Sequence, residues 1–192
     1  LGHFQVVVMG AGSAGSCAAI AAARAGTRVI IIDRLPFVGG TSTGVLDTFY
    51  GFYTPGEISK KIVGGIPDDV VTGLSKFGSM LERPNTYGAG TGITYNPEHL
   101  KVVWEGLLQE SGVRILLHAL LQEVEVRDGR VIALQMATRA GRVRVSGDNF
   151  IDASGDADLS HFAGFGYEKA GDIAPAQTLT TTFKMVNVDI KE

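Results

Sequence analysis

The segment Val6-Val7-Val8-Met9-Gly10-Ala11-Gly12-Ser13-Ala14-Gly15 constrains this chain more than any other. An apolar β-rich run leads into a glycine turn and then into an alanine-rich stretch that ends at Gly26. A second apolar run, Val29 to Ile32, follows and closes on Asp33. Strand, glycine turn, helix, strand and terminal carboxylate in that order specify a dinucleotide-binding βαβ unit. Gly10 permits the tight turn, Gly12 lets backbone approach a pyrophosphate, and Gly15 lets the helix press on the sheet. Free N–H groups and the helix dipole at Ser13-Ala14 favour negative charge there. A larger residue at Gly12 is expected to block the pyrophosphate and to strain the turn. Asp33 is placed to accept a hydrogen bond from a ribose hydroxyl and to repel a 2′-phosphate, an argument that the adjacent Arg34 weakens.

Composition narrows the function classes. A hydrophobic share of 45%, a charged share of 19% and 26 glycines among 192 residues describe a globular chain rich in tight turns. The net charge of −3, without a basic stripe, gives no electrostatic reason to expect nucleic acid as a partner. Glycine and arginine cut every apolar run short of the roughly 20 residues that span a bilayer, so no membrane span is expected. No charged n-region precedes the first strand, which points to the cytoplasm. Cys17 stands alone on the first helix and reads as a small apolar residue. His3, His99, His118 and His161 fit no zinc-ligand spacing, and no metal site is expected.

Further along, Gly39-Gly40-Thr41-Ser42-Thr43-Gly44 forms a second glycine and hydroxyl cluster, on the ligand side of the sheet. The aromatic run Asp47 to Tyr53 is either core or pocket wall. Residues 57–81 read as two short helices, and 83–95 as loop. Asn96-Pro97-Glu98 starts a helix that ends near Gly112 and crosses over to a third core strand, Val113 to His118. Residues 120–145, broken at Asp128-Gly129 and Ala140-Gly141, read as a three-stranded antiparallel meander. Asn149 to Asp152 reads as a returning strand that enters the small-residue turn Ala153-Ser154-Gly155-Asp156-Ala157-Asp158. The Thr-rich pattern from Ala176 to Val188 reads as a strand opening another domain.

Together, Gly10 to Gly15 with Asp33-Arg34, Gly39 to Ser42, and Phe150 to Asp158 resemble the FAD-dependent oxidoreductases of the glutathione-reductase-like flavoprotein fold. Within that fold the chain is most similar to fumarate reductase flavoprotein subunits and glucose-inhibited-division-like proteins. The resemblance implies an α/β, Rossmann-like FAD/NAD(P)-binding domain with a parallel sheet and an inserted antiparallel meander. It implies FAD as cofactor, with the FAD-binding portion at 1–166 and the start of a substrate domain at 167–192. By the same resemblance Gly10, Gly12, Ser13, Ala14 and Gly15 hold the pyrophosphate, Asp33 the ribose, and Arg34 the adenine side. Gly40, Thr41 and Ser42 line the path to the flavin, a backbone amide pair at Leu121 meets adenine, and Ala153, Gly155 and Asp158 form the second nucleotide-side turn.

The family's later Gly-Asp motif has no counterpart after residue 166, so a further C-terminal portion or a partner chain is expected to complete the site. The absence of an initiator Met fits a sequence that starts inside its native one. No catalytic residue is assigned; His118 is the best-placed titratable group. The activity implied is hydride transfer between a small organic substrate and the flavin. A redox-neutral dinucleotide-binding protein of the same fold, of thiazole-synthase-like or tRNA-modifying type, is the alternative.

Overall fold

A computed structural model describes residues 1–46, 48–56, 58–78, 80–84 and 91–189. Strand β1 (Gly2–Met9) runs through the Gly10–Gly12 turn into helix α1 (Ser13–Arg24), and the chain returns as β2 (Val29–Ile32). Helix α1 buries Gly15, Ser16, Ala19 and Ile20, a stripe one helical repeat apart that faces the sheet. After β2 come the single turn α2 (Thr41–Gly44), β3 (Phe49–Tyr50), α3 (Ile66–Ser75), β4 (Leu81–Pro84) and β5 (Thr91–Thr94). Helix α4 (Pro97–Glu110) then crosses to β6 (Arg114–Leu116). The order closes with β7 (Leu120–Arg127), β8 (Arg130–Thr138), β9 (Gly141–Asp152) and α5 (Asp158–Phe162).

The main sheet has six strands in the order β6-β2-β1-β9-β8-β7. Strands β6, β2, β1 and β9 are mutually parallel, while β8 is antiparallel to both β7 and β9. The meander's third strand and the returning strand, expected as two segments, are one. The first half of β9 pairs with β8, and all of it from Val145 to Asp152 pairs with β1. Alternation divides the central strands between two cores. Val8, Val29 and Ile31 face one cluster with Ile20, Leu74, Leu100 and Trp104, whereas Val7, Met9, Ile30 and Ile32 face another with Leu121, Leu134 and Met136. Burial on both faces explains why β2 reads as an unbroken apolar run rather than an alternating one.

Helix α4 follows the sequence reading closely: the Asn96 side chain caps the Glu98 N–H at 2.9 Å and Pro97 opens the first turn. Three expectations need correction. The described residues of 57–81 hold one helix, α3; before it, the Tyr53–Lys61 bridge and the Ile62 N–H to Phe52 carbonyl bond make an antiparallel return instead of a second helix. Pro55-Gly56 dictates that turn, since proline fixes one corner and Gly56 takes φ +101°. The segment read as loop at 83–95 instead supplies parts of β4 and β5, which with β3 form a separate three-stranded sheet; residues 85–90 of it lie outside the described residues. Residues 167–189 carry no strand, and Leu179 and Phe183 are exposed. Threonine-rich composition favours a pleated surface but forms no strand without a ladder partner.

Candidate functional site: a cleft between three turns

The C-terminal ends of β1, β2 and β9 meet at one rim of the sheet. β1 connects to β2 on one side and is flanked by β9 on the other, so a crevice opens where the strand order switches. A cleft of about 560 Å³ lies there, with Gly12, Ser13 and Ala14 from the first turn, Gly40 and Thr41 from the second, and Ala153 to Asp156 from the third. Asp33 and Arg34 complete its wall.

Close backbone contact holds the turns together. The Gly39 N–H donates to the Ala11 carbonyl at 2.7 Å, and the Ala153 N–H to the Met9 carbonyl at 2.8 Å. A Cβ on Gly15 would lie 1.9 Å from the Gly10 carbonyl oxygen, so only glycine lets α1 approach this closely. Gly12 differs. Its φ of −70° suits any residue, and the nearest atom to an added Cβ is Gly40 Cα at 3.8 Å. The expectation that a side chain at 12 strains the turn is therefore corrected; the space it would fill is the cleft.

Electrostatics distinguish α1 from the other long helices. Its N-cap makes no side-chain hydrogen bond and its first turn has no acidic residue, whereas α3 carries Asp68 and Asp69 and α4 carries Glu98 there. The first-turn N–H groups of α1 thus face the cleft without an internal counter-charge, the condition for anion binding. Asp33 is buried: one carboxylate oxygen accepts the Ala11 N–H at 2.5 Å and the other the Leu35 N–H at 2.8 Å. A carboxylate accepts about four hydrogen bonds, so capacity for a ribose hydroxyl remains. Arg34 stands 3.7 Å from Asp156 across the mouth.

Sequence reasoning missed Asp152. One of its oxygens accepts the Ser154 N–H and hydroxyl, at 3.1 and 2.6 Å; the other accepts both from Ser160, each at 2.8 Å. The carboxylate thereby ties the third turn to α5. Its Asp-x-Ser spacing was a visible turn signal; the bond to Ser160, eight residues on, was not. Burial pushes the carboxyl pKa up, but these four donors outweigh it and hold Asp152 below the ordinary aspartate value. A depressed folded-state pKa contributes stability that is full above the unfolded value of about 3.9 and is lost as pH falls through the folded value. Asp152→Asn is expected to cost about 2 kcal/mol at neutral pH. The gap between variant and wild-type urea midpoints should narrow below about pH 4; a gap constant down to the acid limit would refute this.

The remaining expected residues are placed as follows. Gly10 and Gly15 sit beneath the cleft as packing positions, and Ser42 is buried behind it, its hydroxyl 3.4 Å from that of Ser13. The Asp158 N–H donates to Ser154 Oγ at 2.9 Å, which supports the third turn. Leu121 is not among the residues that line the cleft; its side chain packs in the second core, which does not bear on the role expected of its backbone amide. His118 is exposed with φ +53°, and its N–H donates to the Leu35 carbonyl. Burial raises the Cys17 thiol pKa, in keeping with an unreactive packing role. The aromatic run, left open between core and pocket wall, backs the cleft: the Tyr50 ring stacks on Phe52, and its hydroxyl lies 2.9 Å from Ser13 Oγ.

The model of the FAD dependent oxidoreductase family matches residues 5–192. The chain belongs to that family. FAD is accordingly its cofactor, and the cleft suits it: an uncapped helix N-terminus, a glycine with open space before it and a buried carboxylate in its wall. Over 38 residues the chain is 58% identical to a probable fumarate reductase, Ifc3, of Shewanella frigidimarina, which is 20% of this chain and 6% of that protein. Among solved structures it is similar to THI4 of Thermovibrio ammonificans, with a TM-score of 0.56 and 16% identity, covering 85% of this chain and 64% of that one. It is also similar to p-nitrophenol 4-monooxygenase PnpA of Pseudomonas putida, with a TM-score of 0.58 and 16% identity, covering 85% and 44%. At these identities the likeness establishes the flavoprotein fold. The chain spans less than two thirds of each of these proteins. No helix among the described residues is long and apolar enough to cross a membrane.

Proposed function

We propose that this chain is the FAD-binding portion of an oxidoreductase that moves a hydride between a small organic substrate and the flavin. The observation that carries the reading is the convergence of three turns on one cleft, at the uncapped and acid-free start of α1. Ser13, Ala14 and the Gly12 backbone bind the pyrophosphate through first-turn N–H groups. Asp33, fixed by Ala11 and Leu35, takes the adenosine ribose, and Arg34 with Asp156 flanks the adenine end. Gly40 and Thr41 lead toward the flavin ring, and Ala153 and Gly155 close the opposite side. Residues 1–166 form the binding portion and 167–192 the entry to a substrate domain. When bound, FAD supplies two-electron redox chemistry, while the protein supplies orientation, charge complementarity and exclusion of water.

The purified protein is expected to show the visible absorption of bound flavin, or to acquire it when FAD is added to the apoprotein. A colourless protein that takes up no FAD would overturn the reading. Photoreduction followed by mixing with electron acceptors should then produce reoxidation coupled to turnover; a flavin that stays inert to every acceptor would point to a redox-neutral role.

A further inference from the structure

Behind the cleft, a chain of hydrogen bonds runs from the core to Ser13. Trp104, buried on α4, donates its indole N–H to the Tyr50 hydroxyl oxygen at 3.3 Å. An indole nitrogen can only donate, so the Tyr50 oxygen accepts at that contact. The Tyr50 hydroxyl has Ser13 Oγ at 2.9 Å, a contact in which either oxygen can donate, and donation by Tyr50 is the arrangement that gives its proton a partner. In that arrangement Ser13 keeps its own proton. Its other hydroxyl neighbour, Ser42 Oγ, is farther away, at 3.4 Å. The other direction open to that proton is the cleft, whose wall Ser13 forms. The Tyr50 ring cannot easily swing away, since it packs on Phe52 at 5.2 Å and on Tyr95 at 4.8 Å, and the Tyr95 hydroxyl donates to the Ser42 carbonyl at 3.2 Å.

We infer that Trp104 and Tyr50 polarise Ser13 into a one-way hydrogen-bond donor aimed into the cleft, with Tyr50 as the positioning residue. A free serine hydroxyl both donates and accepts. With one lone pair engaged by Tyr50, its proton is left for an acceptor in the cleft such as a diphosphate oxygen. The relay directs that proton to the diphosphate of the ligand. This inference rests on the nucleotide reading of the cleft given above.

The test is calorimetric titration of ADP, adenosine and FAD into the wild type, Tyr50→Phe, Ser13→Ala and the double variant. Phenylalanine keeps the ring that stacks on Phe52 and Tyr95, and alanine is a better helix former than serine, so both single variants are expected to fold. Ser13→Ala should weaken ADP and FAD about tenfold and Tyr50→Phe about threefold, with adenosine unchanged in both. In the Ser13→Ala background, Tyr50→Phe should cause no further loss, because it acts through Ser13. A Tyr50→Phe penalty that persists undiminished there, or that falls equally on adenosine, would overturn the relay alone. Undiminished ADP affinity in Ser13→Ala would do so independently of the Tyr50 variant. A wild-type protein that binds neither ADP nor FAD would overturn the nucleotide reading and the relay with it.

Discussion

Replacing Gly12 with valine is expected to remove FAD binding while leaving the apoprotein folded. The backbone at Gly12 already has dihedrals open to any residue, and an added Cβ meets its nearest neighbour at an ordinary 3.8 Å. The side chain therefore costs the fold little, and its bulk enters the cleft proposed to hold the diphosphate. Affinity should fall by about 100-fold or more, an unfavourable change of roughly 2.7 kcal/mol, with Gly12→Ala between valine and wild type. Flavin-to-protein ratio and thermal unfolding of the apoprotein check the two halves separately. Wild-type flavin content in Gly12→Val would show that the phosphates lie elsewhere.

Gly15→Val is expected to do the reverse, damaging the fold first. Its Cβ would lie 1.9 Å from the Gly10 carbonyl oxygen and 3.1 Å from Ala153 Cβ, and the first of these is backbone that cannot rotate aside. Helix α1 must then lift from the turn, exposing Ala19 and Ile20, both fully buried. Overpacking of this kind costs about 3 kcal/mol or more. For a chain of this size that lowers the melting temperature by about 6–12 °C. A melting temperature within about 2 °C of wild type would contradict the packing described. Two glycines three positions apart in one motif thus separate into one that makes room for a ligand and one that makes room for a helix.

How much of this was legible in the sequence depended on how local its causes were. The first βαβ unit was readable because each element is specified by its own residues: the apolar runs at Val6 and Val29, the glycines between them and Asp33 at the end. The start of α4 was readable from Asn96-Pro97, and the β7–β8 hairpin from Asp128-Gly129, which take φ of +50° and +72° as such a turn requires. Partnership across the chain was not readable. Whether 57–65 is helical depends on Phe52 and Thr54 offering hydrogen-bond partners to Ile62 and Lys60. Whether Thr180 lies in a strand depends on an edge to pair with. Asp152 was overlooked because two serines on different elements give it its role. Tyr50 could be recognised as aromatic, but only the crossing of α4 brings Trp104 to its hydroxyl.

The parallel pairing of β1 with β9 joins Gly2 to Val145 and Met9 to Asp152, segments separated by almost the whole intervening chain. Contacts of such long sequence separation form slowly, because the loop between them must close before it yields any stabilisation. During synthesis, which proceeds from the N-terminus at about 5–20 residues per second, the first glycine turn is made early. It gains its opposing wall only when Ala153 to Asp156 leave the ribosome. The complete cleft therefore forms late, and until then the edge of β1 that β9 covers lacks its strand partner.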